Sequence, residues 1–510
     1  MRIRGLLVVL FVLALAAPAH AAGGASPGAA GIGDRLFPGL GNGGYDVLHY
    51  DLDLRYATSA PSQPIDGTVT IFARATQALS RFDLDFAGKS LGGVTVDGAR
   101  AGWRRDGQEL VIAPRRPLRK NGLFVVRVSH FVAVPTEPAD DTATTAFFIH
   151  ADGSATAGQP DGEHYVFPSN DHPRDKATFT FRFDVPAGTT AVANGLPLGH
   201  WTRKGRTTWL YAERHPMATE LTQLAVGNLR FSSPGRRPGI LLRDVVPPSL
   251  EAEILPRLAI GPSQIDWMEQ RVGRYPLDAM GSLVIRADLG FALETQGISL
   301  LDTYWFEDQP VGYGDATLLH ELAHMWFGDS VAPHEWSDIW LNEGHASWYE
   351  FVYSEEQGFL ADDTVNYPDP EGYDTVDELM HAVYRHSDQW RHDSGPVAHP
   401  IDADHLFDLQ VYHGGALVLY ALRQVVGART FERIERAWVA RYRDRVATTE
   451  DFIALASQVS HRDLRGFLRA WVYGTKTPPM PGHPDWKADP VTTTPPALAK
   501  RGSQPARPRR

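Results

Sequence analysis

Leu48, Tyr50, Leu52, Leu54 and Tyr56 alternate with His49, Asp51, Asp53 and Arg55. A period of two puts the first set on one buried face and the second toward water, so the stretch predicts a strand. Short runs of the same kind follow at 69–73, 82–86, 109–113 and 123–132, and Phe179, Phe181, Phe183 and Val185 alternate again. Asp97-Gly98, Asp106-Gly107 and Asn121-Gly122 punctuate them as turns. Residues 45–235 therefore predict an N-terminal antiparallel β domain. After Pro234-Gly235 the period lengthens. Residues 250–272 carry apolar positions at mostly helical spacing, with Pro256 and Pro262 arguing against one unbroken helix. Residues 281–285 predict a strand. Helices are predicted over 315–327, 341–356, 413–426, 430–442 and 452–459, the last with Thr448 or Thr449 as its cap. The second domain, 236–485, is α-rich with a small sheet, which makes the whole chain multidomain α+β.

The ends read differently. Arg2 and Arg4, an apolar run over 6–16 and the small-x-small triplet Ala19-His20-Ala21 have the form of a signal peptide cut near Ala21, so 1–21 is assigned to export. That implies a secreted or extracytoplasmic protein with no stable membrane insertion after cleavage. Residues 22–44, rich in Gly, Ala and Pro, predict a flexible leader, and 486–510, with many Pro and late basic residues, a disordered tail.

Composition narrows the chemistry. The chain of 510 residues has no cysteine, which excludes disulfides, thiolate metal sites and a cysteine nucleophile. A net charge of −12 speaks against nucleic acid as a partner. The oligomeric state is not legible; a monomer is the simpler expectation.

His320-Glu321-Leu322-Ala323-His324 falls within a predicted helix. Two histidines four apart share one helix face, so both can reach one metal ion. Glu321 sits beside them, placed to act on a water rather than to ligate. A catalytic zinc needs a third protein ligand. Glu343, separated from His324 by eighteen residues and on the next long helical stretch, supplies it if a loop returns the second helix beside the first. An unpaired Glu among Trp340, Leu341, Ala346 and Trp348 would be costly, and ligation of a cation removes that cost. One zinc ion on His320, His324 and Glu343 is the expected cofactor. Asp338 and Asn342 are candidates to orient the ligands. His345, His334, His172, His399 and His413 are read as packed or exposed side chains, and the acidic stretch 362–378 as solvated surface.

HELAHMWFGD followed by WSDIWLNEGHASWYE resembles the aminopeptidase N family of gluzincins, which includes leukotriene hydrolase. VGRYP at 272–276, FPSNDHP at 167–173 with KATF at 176–179, and VYHGGA at 411–416 are similar to further family segments in the same order. The resemblance spans about 45–480. It implies a saddle-like β domain on a thermolysin-like zinc peptidase domain, in a short form without the C-terminal helical domain of larger relatives. It also implies peptide substrates and an aminopeptidase activity. Ala292-Leu293-Glu294 matches the family motif whose Glu binds the substrate's free amine. Phe291 and Thr295 stand where that motif has Gly and Asn. Gln159 matches a glutamine that the β domain adds to the amine pocket, and Tyr412 the catalytic tyrosine. Gly414 replaces a Lys or Arg. The alternatives are an endopeptidase with the same zinc site and no need of a free amine, an epoxide hydrolase, and a binding protein with a relic site.

Overall fold

The computed structural model describes residues 24–492, apart from 136–145, 236, 288, 308, 365–367 and 370–371. The expected signal peptide at 1–21 lies outside the described residues.

Alternation of apolar and polar residues produces the main sheet of the N-terminal domain. Its eight strands run in the spatial order Leu196–Arg203, Arg206–Met217, Ala177–Pro186, Tyr45–Tyr56, Ile65–Ala75, Leu123–Ala133, Gly93–Val96 and Ala99–Arg100. Tyr50, Leu52, Leu54, Val69, Ile71, Phe179, Phe181 and Phe183 form its buried face, all essentially without exposure. Asp97-Gly98, both at positive φ, makes the tight turn between the last two strands. The pairing is not wholly antiparallel: Ala177–Pro186 runs parallel to Tyr45–Tyr56. A parallel neighbour requires a long crossover, and the 120 residues between these strands supply it, carrying four more strands of the main sheet and five strands of two further four-stranded sheets.

Strand Arg230–Ser232 pairs with Asp244–Val246, which runs parallel to Ser282–Ile285, itself parallel to Ser299–Asp302. The boundary expected at 235 thus falls inside one small sheet. The proline-bearing stretch resolves into two helices, Glu251–Leu258 and Gly261–Val272. The expected helices appear as Val311–His324, Trp340–Gln357, Leu409–Val426, Ala428–Tyr442 and Thr449–Ser460. Thr448 caps the last of these in a capping box with Asp451. Val376–Ser394 is a further long helix within and beyond the stretch read as acidic surface; Thr375 and Glu378 form its capping box. The pattern T-x-x-E was its signal.

Two boundaries are corrected. The leader is not flexible over its described part. Asp34 is buried; its carboxylate accepts from the backbone N–H groups of Leu36 (2.7 Å), Phe37 (3.0 Å) and Trp336 (2.8 Å), and Oδ2 lies 3.2 Å from the His172 ring. Phe37 packs edge-on against Trp336. Residues rich in Gly and Ala look flexible in isolation, yet Asp34 satisfies donors from both domains and is held by them. At the other end, Trp486 stacks on Tyr420 and His381, and the Thr492 backbone N–H donates to Gln389. The expected tail is thus packed through 492, and its remainder lies outside the described residues.

Burial works to raise the Asp34 carboxyl, but the His172 ring and the N–H groups of Phe37 and Trp336 outweigh it and hold it at about 2. A depressed carboxyl stabilises the fold above its ordinary value of 3.8 and loses that contribution as the pH falls through about 2. Asp34→Ala should therefore lower stability by about 2–3 kcal/mol at neutral pH in urea unfolding, because two buried backbone donors and one partly buried one lose their acceptor. The gap from wild type should shrink as the pH falls below 3.8. A neutral-pH difference under about 0.5 kcal/mol would show that the segment is not a staple.

Candidate active site

The helix Val311–His324 carries His320, Glu321 and His324, and all three are buried. Gly328, at φ +136°, turns the chain immediately after it. A short strand and a 3-10 turn then lead into Trp340–Gln357, with Glu343 in its first turn. The two helices meet as the spacing predicts. Both His320 Nε2 and His324 Nε2 lie 3.4 Å from Glu343 Oε2, and one ligand atom from each residue falls within 4.8 Å of the others.

The opposite ring nitrogens show that this donor set fits a metal. His324 Nδ1 lies 3.1 Å from the Phe327 carbonyl, which can only accept, so the proton of the neutral ring sits on Nδ1. His320 Nδ1 lies 2.7 Å from Glu350 Oε2, with the same consequence. Both lone pairs are left on Nε2, directed at Glu343. Two nitrogens and one carboxylate oxygen on a common point are the donors of a catalytic zinc site.

The orienting residues differ from those expected. Asp338 accepts from the backbone and hydroxyl of Thr449 at the start of another helix, and Asn342 packs against Gly328. Glu350 is the orienting carboxylate that sequence reading missed. Its signal was spacing: it lies seven residues after Glu343, two turns along the same face. His345 packs as expected, stacked on Phe327 with Nδ1 on the Leu341 carbonyl and Nε2 3.3 Å from Glu435. His172 pairs with Asp34, His413 packs against Phe351 and Trp390, and His399 is exposed.

The amine-side residues converge on the same pocket. Gln159, from a loop of the β domain, donates through Nε2 to Glu294 Oε1 at 2.8 Å. The Leu293 and Leu300 backbones exchange hydrogen bonds of 2.9 and 2.7 Å, which pins the segment bearing Glu294. Ala292 lines the pocket, whereas Leu293 joins an apolar cluster. Tyr412, on Leu409–Val426, places its ring 6.0 Å from that of His320. The closeness of the two helices depends on Gly344 and Gly415: a Cβ on Gly344 would stand 2.9 Å from Gly415 Cα. Gln159, Glu294, His320, Glu321, His324, Glu343, Glu350 and Tyr412 thus share one cleft.

Charge in the cleft is strongly coupled. Burial would lower His320, but Glu350 and Glu343 raise it to about 9. Burial would raise Glu343, but His324 and His320 hold it at about 2. Burial pushes Glu321 up to about 8 against the pull of both histidines, and its Oε2 has no hydrogen-bond partner.

Residues 266–471 match the Peptidase family M1 domain. Aminopeptidase N of Streptomyces lividans is 28% identical over 328 residues, covering 60% of this chain and 36% of the relative. Aminopeptidase M1-A of Oryza sativa is 25% identical over 338 residues, covering 62% and 36%. The chain thus spans about a third of the length of these relatives. An M1 zinc metallopeptidase from Deinococcus radiodurans superposes with a TM-score of 0.71 at 29% identity, covering 88% of this chain and 99% of that one. A mutant of an M1 zinc metallopeptidase from the same organism, bound to a Tyr-Ser-Ala substrate, gives 0.72 at 28% identity, with 89% and 100% covered.

A His-Glu-x-x-His helix with a distant glutamate as third donor, on this pair of domains, defines a gluzincin, with one zinc ion as its cofactor. Within that class, residues 266–471 match the M1 peptidase domain, and the chain is similar to aminopeptidase N and to M1 zinc metallopeptidases of known structure.

Because the metal-free site holds His320 protonated up to about 9, zinc uptake at pH 7 should release its proton, and affinity should rise with pH up to that value. Calorimetry in buffers of different ionisation enthalpy measures this release. Glu350→Gln should weaken zinc binding about 10–100-fold. Unchanged affinity would leave Glu350 with no part in orienting His320.

Proposed function

We propose that this protein is a secreted zinc aminopeptidase that removes N-terminal residues from peptides. The observation that carries the reading is the Gln159–Glu294 pair in the same cleft as the metal donors and Glu321. Glu294 is buried, and its partner there is a neutral amide. A buried carboxylate of this kind calls for a cation, and a peptide's α-ammonium is the one a peptidase substrate brings. With Nε2 committed to Glu294, the Gln159 side-chain oxygen remains to accept a second ammonium proton.

Zinc held by His320, His324 and Glu343 supplies Lewis-acid polarisation and brings the pKa of a water toward about 7. The remaining work falls to the chain. Glu321 takes the proton from the attacking water and passes it to the leaving amine. Glu321 is buried in the same cleft as the metal donors. The Tyr412 hydroxyl donates to the oxygen that gains charge as the carbonyl carbon becomes tetrahedral. Glu294 and Gln159 set the first peptide bond over the reacting groups by fixing the amine. Secretion rests on the basic, apolar and small-residue pattern of 1–21. Among the described residues no helix is long and apolar enough to cross a membrane.

The purified protein is to be assayed on aminoacyl-coumarins and their N-acetyl twins, with and without a chelator. Chelator-sensitive cleavage confined to the free-amine set is expected. Equal cleavage of the blocked set would replace this reading with an endopeptidase. Glu321→Gln should retain zinc and lose about 10³-fold or more in kcat, and Tyr412→Phe should lose about 10²–10³-fold. An active Glu321→Gln protein would remove the assigned base.

A further inference from the structure

The cleft has a part that this chemistry leaves unused. Glu343 faces both histidines, Glu350 holds His320, Glu294 holds Gln159, and Glu321 and Tyr412 serve the reaction. What remains of its lining is Phe291, Ala292, Trp305 and Thr317. None of these is charged, and the Thr317 hydroxyl donates back to the Tyr313 carbonyl at 3.0 Å. Among the described residues no Lys or Arg lines the cleft.

This apolar part is braced from both domains. Phe291 packs edge-on against Phe148, with ring centroids 5.5 Å apart, and Phe148 belongs to strand Phe147–His150 of the β domain. Trp305 stacks nearly parallel on Tyr313 at 5.6 Å. Phe291 also stands three residues before Glu294 on the same pinned segment. The α-carbon of a substrate's first residue bears both its amine and its side chain. A group that lines the same cleft as the amine anchor is therefore placed to meet that side chain.

We propose that Phe291, buttressed by Phe148 and joined by Trp305, is a specificity-determining seat for the first side chain, and that the enzyme takes peptides beginning with a large, uncharged, preferably aromatic residue. The proposal rests on the aminopeptidase reading above. Aromatic walls bury an aromatic or branched apolar side chain in edge or offset contact. An acidic side chain would enter a cleft with four carboxylates, whose two basic side chains, His320 and His324, already face Glu343. A basic side chain has cation–π attraction as its best offer, since each carboxylate is already committed to the metal donors, the amine or the proton.

The test compares kcat/KM for phenylalanyl-, leucyl-, arginyl- and aspartyl-coumarin on the zinc-loaded protein and on Phe291→Gly and Phe148→Ala, with zinc content and melting temperature checked for each. Expected for wild type is a phenylalanyl rate at least about tenfold above arginyl and about a hundredfold above aspartyl. Phe291→Gly should collapse the phenylalanyl-to-arginyl ratio to below about threefold, and Phe148→Ala should narrow it. An arginyl preference in wild type, or a ratio unmoved by Phe291→Gly, overturns the seat. Calorimetric titration of the zinc-loaded protein with phenylalaninamide and argininamide separates the two levels. Tighter binding of phenylalaninamide supports the seat. Equal binding of both overturns the seat alone, and binding of neither overturns the aminopeptidase reading with it.

Discussion

Four carboxylates, from Glu294, Glu321, Glu343 and Glu350, line one small cleft, where two histidines are the only basic side chains among the described residues. Like charges at this density in a dry site repel strongly, and each would tend to protonate or turn outward. The arrangement is tolerable because each has a cationic or proton-bearing counterpart in view. Glu343 answers the metal, Glu350 a histidine N–H and Glu321 a transferable proton; for Glu294 we propose the substrate amine. The cleft is thus built around positive charge that arrives from outside, and the fold must hold it together until then.

Four sets of contacts do much of that holding. Gly344 and Gly415 let two helices approach closely enough for Tyr412 to overlook His320. Lys176, half-buried in the β domain, donates to the carbonyls of Asp329 (2.5 Å) and Ser330 (2.9 Å), directly after the helix that bears the histidines. Arg174 reaches the carbonyls of His334 and Ile32, both at 3.0 Å, and Asp34 accepts from Trp336. The β domain therefore clamps the loop that joins the two metal helices. This gives physical content to the segments at 167–173 and 176–179 singled out in the sequence: they fix the spacing between the first two metal donors and the third.

The parts legible beforehand were those with local signatures. Period-two strands, long amphipathic helices, the HExxH pair and the distance to Glu343 all follow from side-chain periodicity along one element or from one short crossing. The helix Val376–Ser394 was passed over because its charged opening hid a capping box behind apparent solvation. Residues 24–44 were misjudged because Gly and Ala content reports backbone freedom in an isolated chain, not the partners that a folded neighbour offers to Asp34. Asp338 and Asn342 were nearer in sequence to the metal ligands than Glu350, but direction along the helix face matters more than proximity in number.

By itself the sequence determined the donor set, the presence of a base beside it and the two-domain character of the chain, since these depend on residue type and spacing within single elements. Only the tertiary structure decided which nitrogen of each histidine faces the metal, that Glu350 orients His320, and that Gln159 meets Glu294 at a sequence separation of 135. It alone showed that Phe148 from one domain braces Phe291 from the other. The reason is geometric. Periodicity says which face of an element is buried, whereas the identity of the atom it meets is set by how separate elements pack.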